Sequence, residues 1–99
     1  MSKKIRTDEV KELFEALLSL QNLEECYLFL EDLCTTNEIL TLAQRYQVAK
    51  LLEQKYTYQE IADMSGASTA TISRVKRSMD DGNGGYEIMF NRLREKGQS

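Results

Sequence analysis

The sequence contains no histidine and no proline. Without histidine, the chain has no imidazole to act as general acid or base, no Ser-His or Cys-His nucleophile pair, and no histidine metal ligand. The two cysteines, Cys26 and Cys34, are too few to hold a structural zinc ion by themselves. We therefore predict that the protein is not an enzyme, has no catalytic residues and holds no metal.

The absence of proline means that nothing in the sequence forbids long helices. The alternation of β-branched residues that is typical of strands is also missing, whereas apolar residues recur at helical spacing. No apolar run approaches the length of a membrane span, and the N-terminus lacks the hydrophobic core of a signal peptide. We expect an all-α protein of about six helices that is cytoplasmic and makes no membrane contact.

Capping residues predict where the helices begin. The first helix opens at Thr7 or Asp8. Capping boxes open the next three helices, and their residue pairs are Asn22 with Glu25, Thr35 with Glu38, and Thr57 with Glu60. Ser68 caps the fifth helix, and the Asp-Gly-Asn-Gly-Gly segment 81–85 separates it from the last. The third helix is expected to present one apolar face, formed by Ile39, Leu42, Ala43, Tyr46, Ala49 and Leu52.

Residues 58–77 carry the most informative pattern, YQEIADMSGASTATISRVKR. Two helices that cross closely need a small residue at the crossing and a turn residue that tolerates a left-handed backbone, and Ala62 and Gly66 fit these places. Ser65 stands where such patterns usually have an apolar residue, and Met64 is expected to fill the gap. The apolar residues that should lock the two helices together are Ile61, Ala67, Ile72 and Val75. The pattern predicts a helix-turn-helix.

The distribution of charge is compatible with a nucleic-acid partner despite the net charge of −3. Residues 1–56 carry 7 basic and 10 acidic side chains, whereas residues 57–79 carry 3 basic and 2 acidic ones. The stretch from Ser68 to Met79 has three basic residues and no acidic residue. Global acidity therefore disfavours indiscriminate DNA binding and leaves attraction to one surface.

The DNA contacts follow from the way a helix-turn-helix docks, with the N-terminal end of its second helix in the major groove and its first helix across the backbone. The small side chains at the start of the second helix are placed for base edges, and its arginines are placed for phosphates. The predicted DNA-binding residues are Gln59, Ser68, Thr69, Ala70, Ser73, Arg74, Lys76 and Arg77. The expected partner is double-stranded DNA. The alternative is a helical protein-protein interaction module without DNA binding, in which the apolar helix around 27–33 binds another protein.

The segment from Leu33 to Met79 resembles the Trp repressor superfamily and, within it, the YerC/YecD branch. The most specific match is GASTATISR at 66–74, preceded by LAQR at 42–45 and AKLL at 49–52. The resemblance implies a Trp repressor-like intertwined homodimer that regulates transcription by occupying a two-fold-symmetric operator. It also implies one domain over residues 1–99, and the parts of that domain are dimerisation helices in 1–34, a core helix in 35–56, the helix-turn-helix in 57–80 and a C-terminal helix in 86–96.

The resemblance further implies a candidate effector pocket. In the tryptophan-binding members of the superfamily, two arginines flank a pocket between the core and the DNA-reading helices. The matching residues here are Arg45, Arg74, Val75 and Ser78. Val75 stands where those members have glycine, and its branched side chain is expected to crowd an indole ring. We therefore expect no resident cofactor and no response to L-tryptophan, and another small effector stays open.

Overall fold

The computed structural model describes residues 4–97, and every regular element among them is an α-helix. Residues 1–3 and 98–99, the two ends of the predicted domain, lie outside the described residues. The helices are α1 Asp8–Leu18, α2 Leu23–Leu33, α3 Thr36–Glu53, α4 Tyr58–Ser65, α5 Thr69–Asp81 and α6 Gly85–Glu95. The all-α class and the number of helices are therefore confirmed.

The helices begin where the capping residues predict. The side chains of Thr35 and Glu38 bond each other's backbone N–H groups, at 3.1 and 2.8 Å. Thr57 and Glu60 repeat the same reciprocal pair at the start of α4. Asn22 caps α2 by accepting from the Glu25 N–H at 2.9 Å, although the Glu25 carboxylate accepts from the N–H of residue 21 instead of that of Asn22. Each cap satisfies backbone donors that an isolated helix start leaves unpaired.

The chain divides into two compact units, Met1–Leu40 and Thr41–Ser99. The second unit contains every fully buried apolar side chain among residues 4–97. This core draws on α3, the turn between α4 and α5, and α4, α5 and α6, through Val48, Ala49, Leu51, Ile61, Ala67, Ile72, Val75 and Phe90. Four helices therefore share one small core, and it is this core that positions α5.

The apolar face expected on α3 is wrong in part. Ala49 is buried as predicted, but the other buried residues of this helix are Val48 and Leu51. Leu42 and Tyr46 belong to the expected face, yet both are exposed. The helix carries apolar residues around most of its circumference, so its sequence pattern does not determine which side packs against α4 and α5.

The first unit has no buried side chain in α1 or in α2. Eight large apolar residues of this unit are at least half exposed, and Leu18 reaches 85%. They are Ile5, Phe14, Leu18, Leu23, Tyr27, Leu28, Leu33 and Leu40. An apolar groove of about 400 Å³ runs along α2 and the start of α3, with Tyr27, Leu30 and Ile39 in its lining.

Gly66 is the residue whose backbone most constrains the fold of the second unit. It ends α4 with φ +73° and ψ 6°, in the left-handed region. We predict that Gly66→Ala lowers the free energy of unfolding by about 1–2 kcal/mol, because a β-carbon is strained in this region. The resulting fall in melting temperature is about 4–8 °C or more, measurable by circular dichroism.

Gly85 provides the matched control for this substitution. It starts α6, has no left-handed φ, and a β-carbon there meets no atom within 4 Å. Gly85→Ala should therefore leave the melting temperature unchanged or raise it, since alanine favours the helix. Equal melting temperatures for the two variants would contradict the role given to Gly66.

Candidate nucleic-acid interface

Helices α4 and α5 meet at a turn of three residues. The Gly66 N–H donates to the Ala62 carbonyl oxygen at 2.9 Å, which closes the end of α4. Ala67 then points into the core, and the Ser68 side chain caps α5 by accepting from the Thr71 N–H at 3.1 Å. The chain thus leaves one helix through a left-handed glycine and enters the next through a serine cap, as a helix-turn-helix requires.

The four apolar residues predicted to lock the two helices are all buried. Ile61 and Ile72 have no exposed surface, and Ala67 and Val75 retain 5% or less. Ala62 is half-buried and packs against this cluster, as expected for the small residue of the pair. Burial of an isoleucine side chain contributes about 1.5–3 kcal/mol, so these contacts suffice to fix α5 on α4.

Ser65 is held in the turn by hydrogen bonds and not by apolar packing. Its Oγ donates to the Ile61 carbonyl oxygen at 2.6 Å and accepts from the Ala67 N–H at 3.1 Å. Gln44 of α3 donates from Nε2 to the Ser65 carbonyl oxygen at 3.3 Å. The expectation that Met64 fills an apolar gap here is wrong, because Met64 is 50% exposed and Ser65 satisfies the turn by polar contacts. Sequence reasoning missed the role of Gln44, since no local spacing joins it to the turn.

The residues predicted to contact DNA lie on α4, at the cap of α5 and along α5. Ser73 is half-buried, and the other seven are exposed. Three of them use their polar groups within the chain: Gln59 Nε2 donates to Asp63 Oδ1 at 3.1 Å, Ser68 Oγ also donates to Thr71 Oγ1 at 3.2 Å, and Lys76 pairs with Asp80. Their contacts with DNA stay a prediction.

The basic residues of α5 differ in their surroundings. Lys76 Nζ forms an ion pair with Asp80 Oδ1 at 3.3 Å, with both side chains about half exposed. Arg74 and Arg77 have no ion pair within residues 4–97. Two guanidinium groups on this helix are therefore available to an external anion without displacing a carboxylate.

A cavity of about 290 Å³ with several polar lining residues lies beside α5 in the second unit. All four residues of the predicted effector pocket line it, namely Arg45, Arg74, Val75 and Ser78. The remaining lining residues are Thr41, Gln44, Thr71 and Tyr86, and no carboxylate is among them. Val75 keeps only 3% of its surface exposed, so its side chain is committed to the core beside the cavity. A role in effector binding stays a prediction.

Other kinds of site find little support in the part of the chain that the structure describes. Within residues 4–97, no group of three or more cysteine or acidic side chains is arranged to hold a metal ion. No helix there has the length and apolar character needed to cross a membrane.

The fold and this site define an all-α protein with a helix-turn-helix. Residues 8–94 match the family model described as Trp repressor protein. The uncharacterized protein YerC of Bacillus subtilis (strain 168) is 53% identical over 92 residues, which are 93% of this chain and 88% of that protein. The chain therefore belongs to the Trp repressor family, and within it resembles the YerC branch.

Two crystal structures have the same fold. A TrpR-like protein from Eubacterium eligens superposes with a TM-score of 0.90 at 55% identity, covering 93% of this chain and 95% of that one. A candidate Trp repressor from Staphylococcus aureus gives a TM-score of 0.89, also at 55% identity, covering 93% and 92% of the two chains. The family is one of transcription regulators and not of enzymes.

The buried Val75 leads to a prediction about the cavity. We expect that L-tryptophan does not change the melting temperature, because Val75 lines the cavity where the tryptophan-binding members of the superfamily have glycine, and its branched side chain should crowd an indole ring. A ligand present at about 100 times its dissociation constant would stabilise the protein by about 2.7 kcal/mol, which thermal unfolding detects readily. A rise in melting temperature that depends on the concentration of L-tryptophan would contradict this prediction.

Proposed function

We propose that the protein is a DNA-binding transcriptional regulator that acts as a homodimer and reads a specific sequence with α5. The observation that carries the proposal is the composition of the exposed side of α5. Its N-terminal end presents small hydroxyl and methyl groups, its later turns present Arg74 and Arg77 without ion pairs, and the helix has no acidic residue before Asp80. Membership of a family of transcription regulators supports the same conclusion.

The roles within the interface follow from position along α5. Thr69, Ala70 and Ser73 lie in its first turns, where the backbone can approach base edges closely and the Ala70 methyl can contact a thymine methyl. Arg74 directly follows Ser73 and Arg77 lies about one turn further on, and both would neutralise phosphates. The phosphate contacts set orientation and affinity, whereas the base contacts give specificity.

Three predicted contact residues have to exchange partners when DNA binds. Lys76 would leave Asp80, Gln59 would leave Asp63, and the Ser68 hydroxyl would turn from Thr71 towards a phosphate. Such exchanges are inexpensive because an exposed ion pair contributes only about 0–1 kcal/mol. The Ser68 cap can be kept, since its oxygen still accepts from the Thr71 N–H while the hydroxyl proton changes partner.

The first unit supports a homodimer. A chain segment of two complete helices without one buried side chain has no core of its own. Its exposed apolar residues and the groove beside Tyr27 and Leu30 need a partner surface, because large contiguous apolar patches are rare on monomers. In a symmetric dimer each copy would cover the other, and two helix-turn-helix units would face half-sites about one helical turn apart.

The alternative function, a helical interaction module without DNA binding, is favoured by the same apolar groove of the first unit. Selection from random double-stranded DNA, repeated over a series of salt concentrations, separates the two functions. Sequence-specific regulation requires an enriched, two-fold-symmetric site together with a steep fall of affinity with salt. Binding without an enriched sequence would reject specificity, and no binding at low salt would leave the interaction module.

Ser73→Asp tests the proposed reading surface. We expect it to abolish binding to the selected site while the far-ultraviolet circular dichroism stays unchanged, because a carboxylate would face the DNA from a half-buried position on α5. Asn91→Asp is the matched control, since it changes the net charge equally at an exposed position of α6. Unchanged affinity of Ser73→Asp for the selected site would reject the assigned surface.

The mass in solution tests the dimer. Sedimentation should give about twice 11.4 kDa. Tyr27→Asp should shift this species towards the monomer, because the charge would enter the apolar groove that we assign to the partner. Glu24→Gln, an exposed change on the same helix, should leave the mass unchanged. A stable monomer of the natural sequence at micromolar concentration would contradict the proposal.

A further inference from the structure

We propose that α6 positions the reading helix α5 for DNA, and that Tyr86 is the residue through which it acts. The consequence for binding rests on the proposed DNA-reading function of α5. Tyr86 stacks on Phe90 and lines the same cavity as Arg74, Val75 and Ser78 of α5. No residue of α6 is among the predicted DNA contacts, so Tyr86 is a positioning residue.

Helix α6 is anchored to α3 at two points. Phe90 is buried, and its ring centroid lies 6.1 Å from that of Tyr46. One turn later, Arg94 Nη1 forms an ion pair with Glu53 Oε2 at 2.7 Å, across 41 residues of sequence. An apolar contact and a charge-assisted hydrogen bond on successive turns fix both the rotation and the height of α6 along α3.

The second half of α5 depends on α6 for its packing. The buried residues of α5 are Ile72 and Val75, and both lie in its first seven residues. Beyond Val75, Met79 is the one side chain of α5 that is not exposed. Met79 packs against the core together with Tyr86 and Met89 of α6. Without the α6 side chains, the turn that carries Arg77 would have little to pack against.

The connection between α5 and α6 is short, and replacement of Gly82 or Gly84 by a larger residue would strain it. Only three residues, 82–84, separate the two helices. A β-carbon on Gly82 would overlap the Ser78 carbonyl oxygen, and Gly84 has φ +82°. Because this link is only three residues long, Tyr86, the second residue of α6, lies close to the end of α5 in the chain and cannot move far from it.

The ring of Tyr86, and not its hydroxyl, packs against the core that α5 and α6 share. Its ring lies at 6.2 Å and 21° to that of Phe90, whereas the hydroxyl has no hydrogen bond within residues 4–97. Tyr86→Phe should therefore behave like the natural sequence. Tyr86→Ala removes the ring and should allow α5 to sample orientations in which it cannot read DNA, which lowers the apparent affinity by the fraction of competent molecules.

Hydrogen exchange tests the positioning without DNA. In the dimeric full chain, Tyr86→Ala should speed amide exchange at residues 76–81 by about tenfold or more, while the amides of Ile61 and Ala62 in α4 keep their protection. Tyr86→Phe should leave both regions unchanged, as should Glu87→Ala, the exposed neighbour on the same turn. If Tyr86→Ala folds poorly, Tyr86→Leu replaces it. Unchanged protection at residues 76–81 would overturn the proposal.

DNA binding supplies the second measurement. Affinity of Tyr86→Ala for the selected site should fall about tenfold if about a tenth of the molecules hold α5 correctly. The slope of affinity against salt should not change, because no phosphate contact is lost, whereas Arg77→Ala should make it shallower by about one contact. A shallower slope for Tyr86→Ala would overturn a positioning role and indicate direct contact.

The two proposals fail in different ways. If the natural sequence binds no DNA, the proposed function fails, while the exchange at residues 76–81 still decides whether α6 holds α5. If the natural sequence binds and Tyr86→Ala binds equally well, the reading function stands and the role of Tyr86 is rejected.

Discussion

The second unit depends on one buried apolar cluster, to which α3 contributes Val48, α4 contributes Ile61 and α5 contributes Ile72. These three side chains are the largest that are completely buried among residues 4–97. Each comes from a different helix, so the loss of any one leaves a cavity that the other two cannot close. The turn at Gly66 and the polar bonds of Ser65 determine the path of the chain, but the apolar contact determines that α4 and α5 stay together.

The charge distribution that bears on the proposed function is that of one helix, α5. The chain as a whole is acidic, with 16 acidic against 13 basic side chains, yet α5 is free of acid until Asp80. Because screening in salt limits charge effects to about 8–10 Å, a distant excess of carboxylates has little influence on what approaches α5. In the proposed function, the local charge of α5 would therefore matter more than the net charge of the chain for where a polyanion binds. Arg74 belongs both to the exposed side of α5 and to the lining of the cavity beside it, so it is the residue where DNA and a small ligand would compete or cooperate.

The sequence was a good guide where structure is encoded locally. Helix starts depend on pairs three residues apart, and Thr35, Thr57 and Ser68 all cap as predicted. The helix-turn-helix could be predicted because its offsets lie within twenty residues. The contacts of Gln44 with Ser65 and of Phe90 with Tyr46 could not, because they join residues 21 or more positions apart. The prediction of which side of α3 packs inward was wrong in part for a related reason. A helix that is apolar on several sides can pack against neighbours on any of them.

The two units contribute unequally to the buried core, and this difference favours a dimer for a chain of this size. A chain of 99 residues buries about 60–65% of its unfolded surface when it folds alone. Here Thr41–Ser99 provides all the buried side chains described, and Met1–Leu40 provides two capped helices with exposed apolar faces. In the proposed dimer, folding of the first unit and association are one event, so the stability of those helices depends on protomer concentration. The same association would set the spacing of the two α5 helices. A substitution that destabilises the first unit would then weaken DNA binding although α5 itself is unchanged. Specific binding would therefore depend on formation of the dimer as well as on the residues of α5.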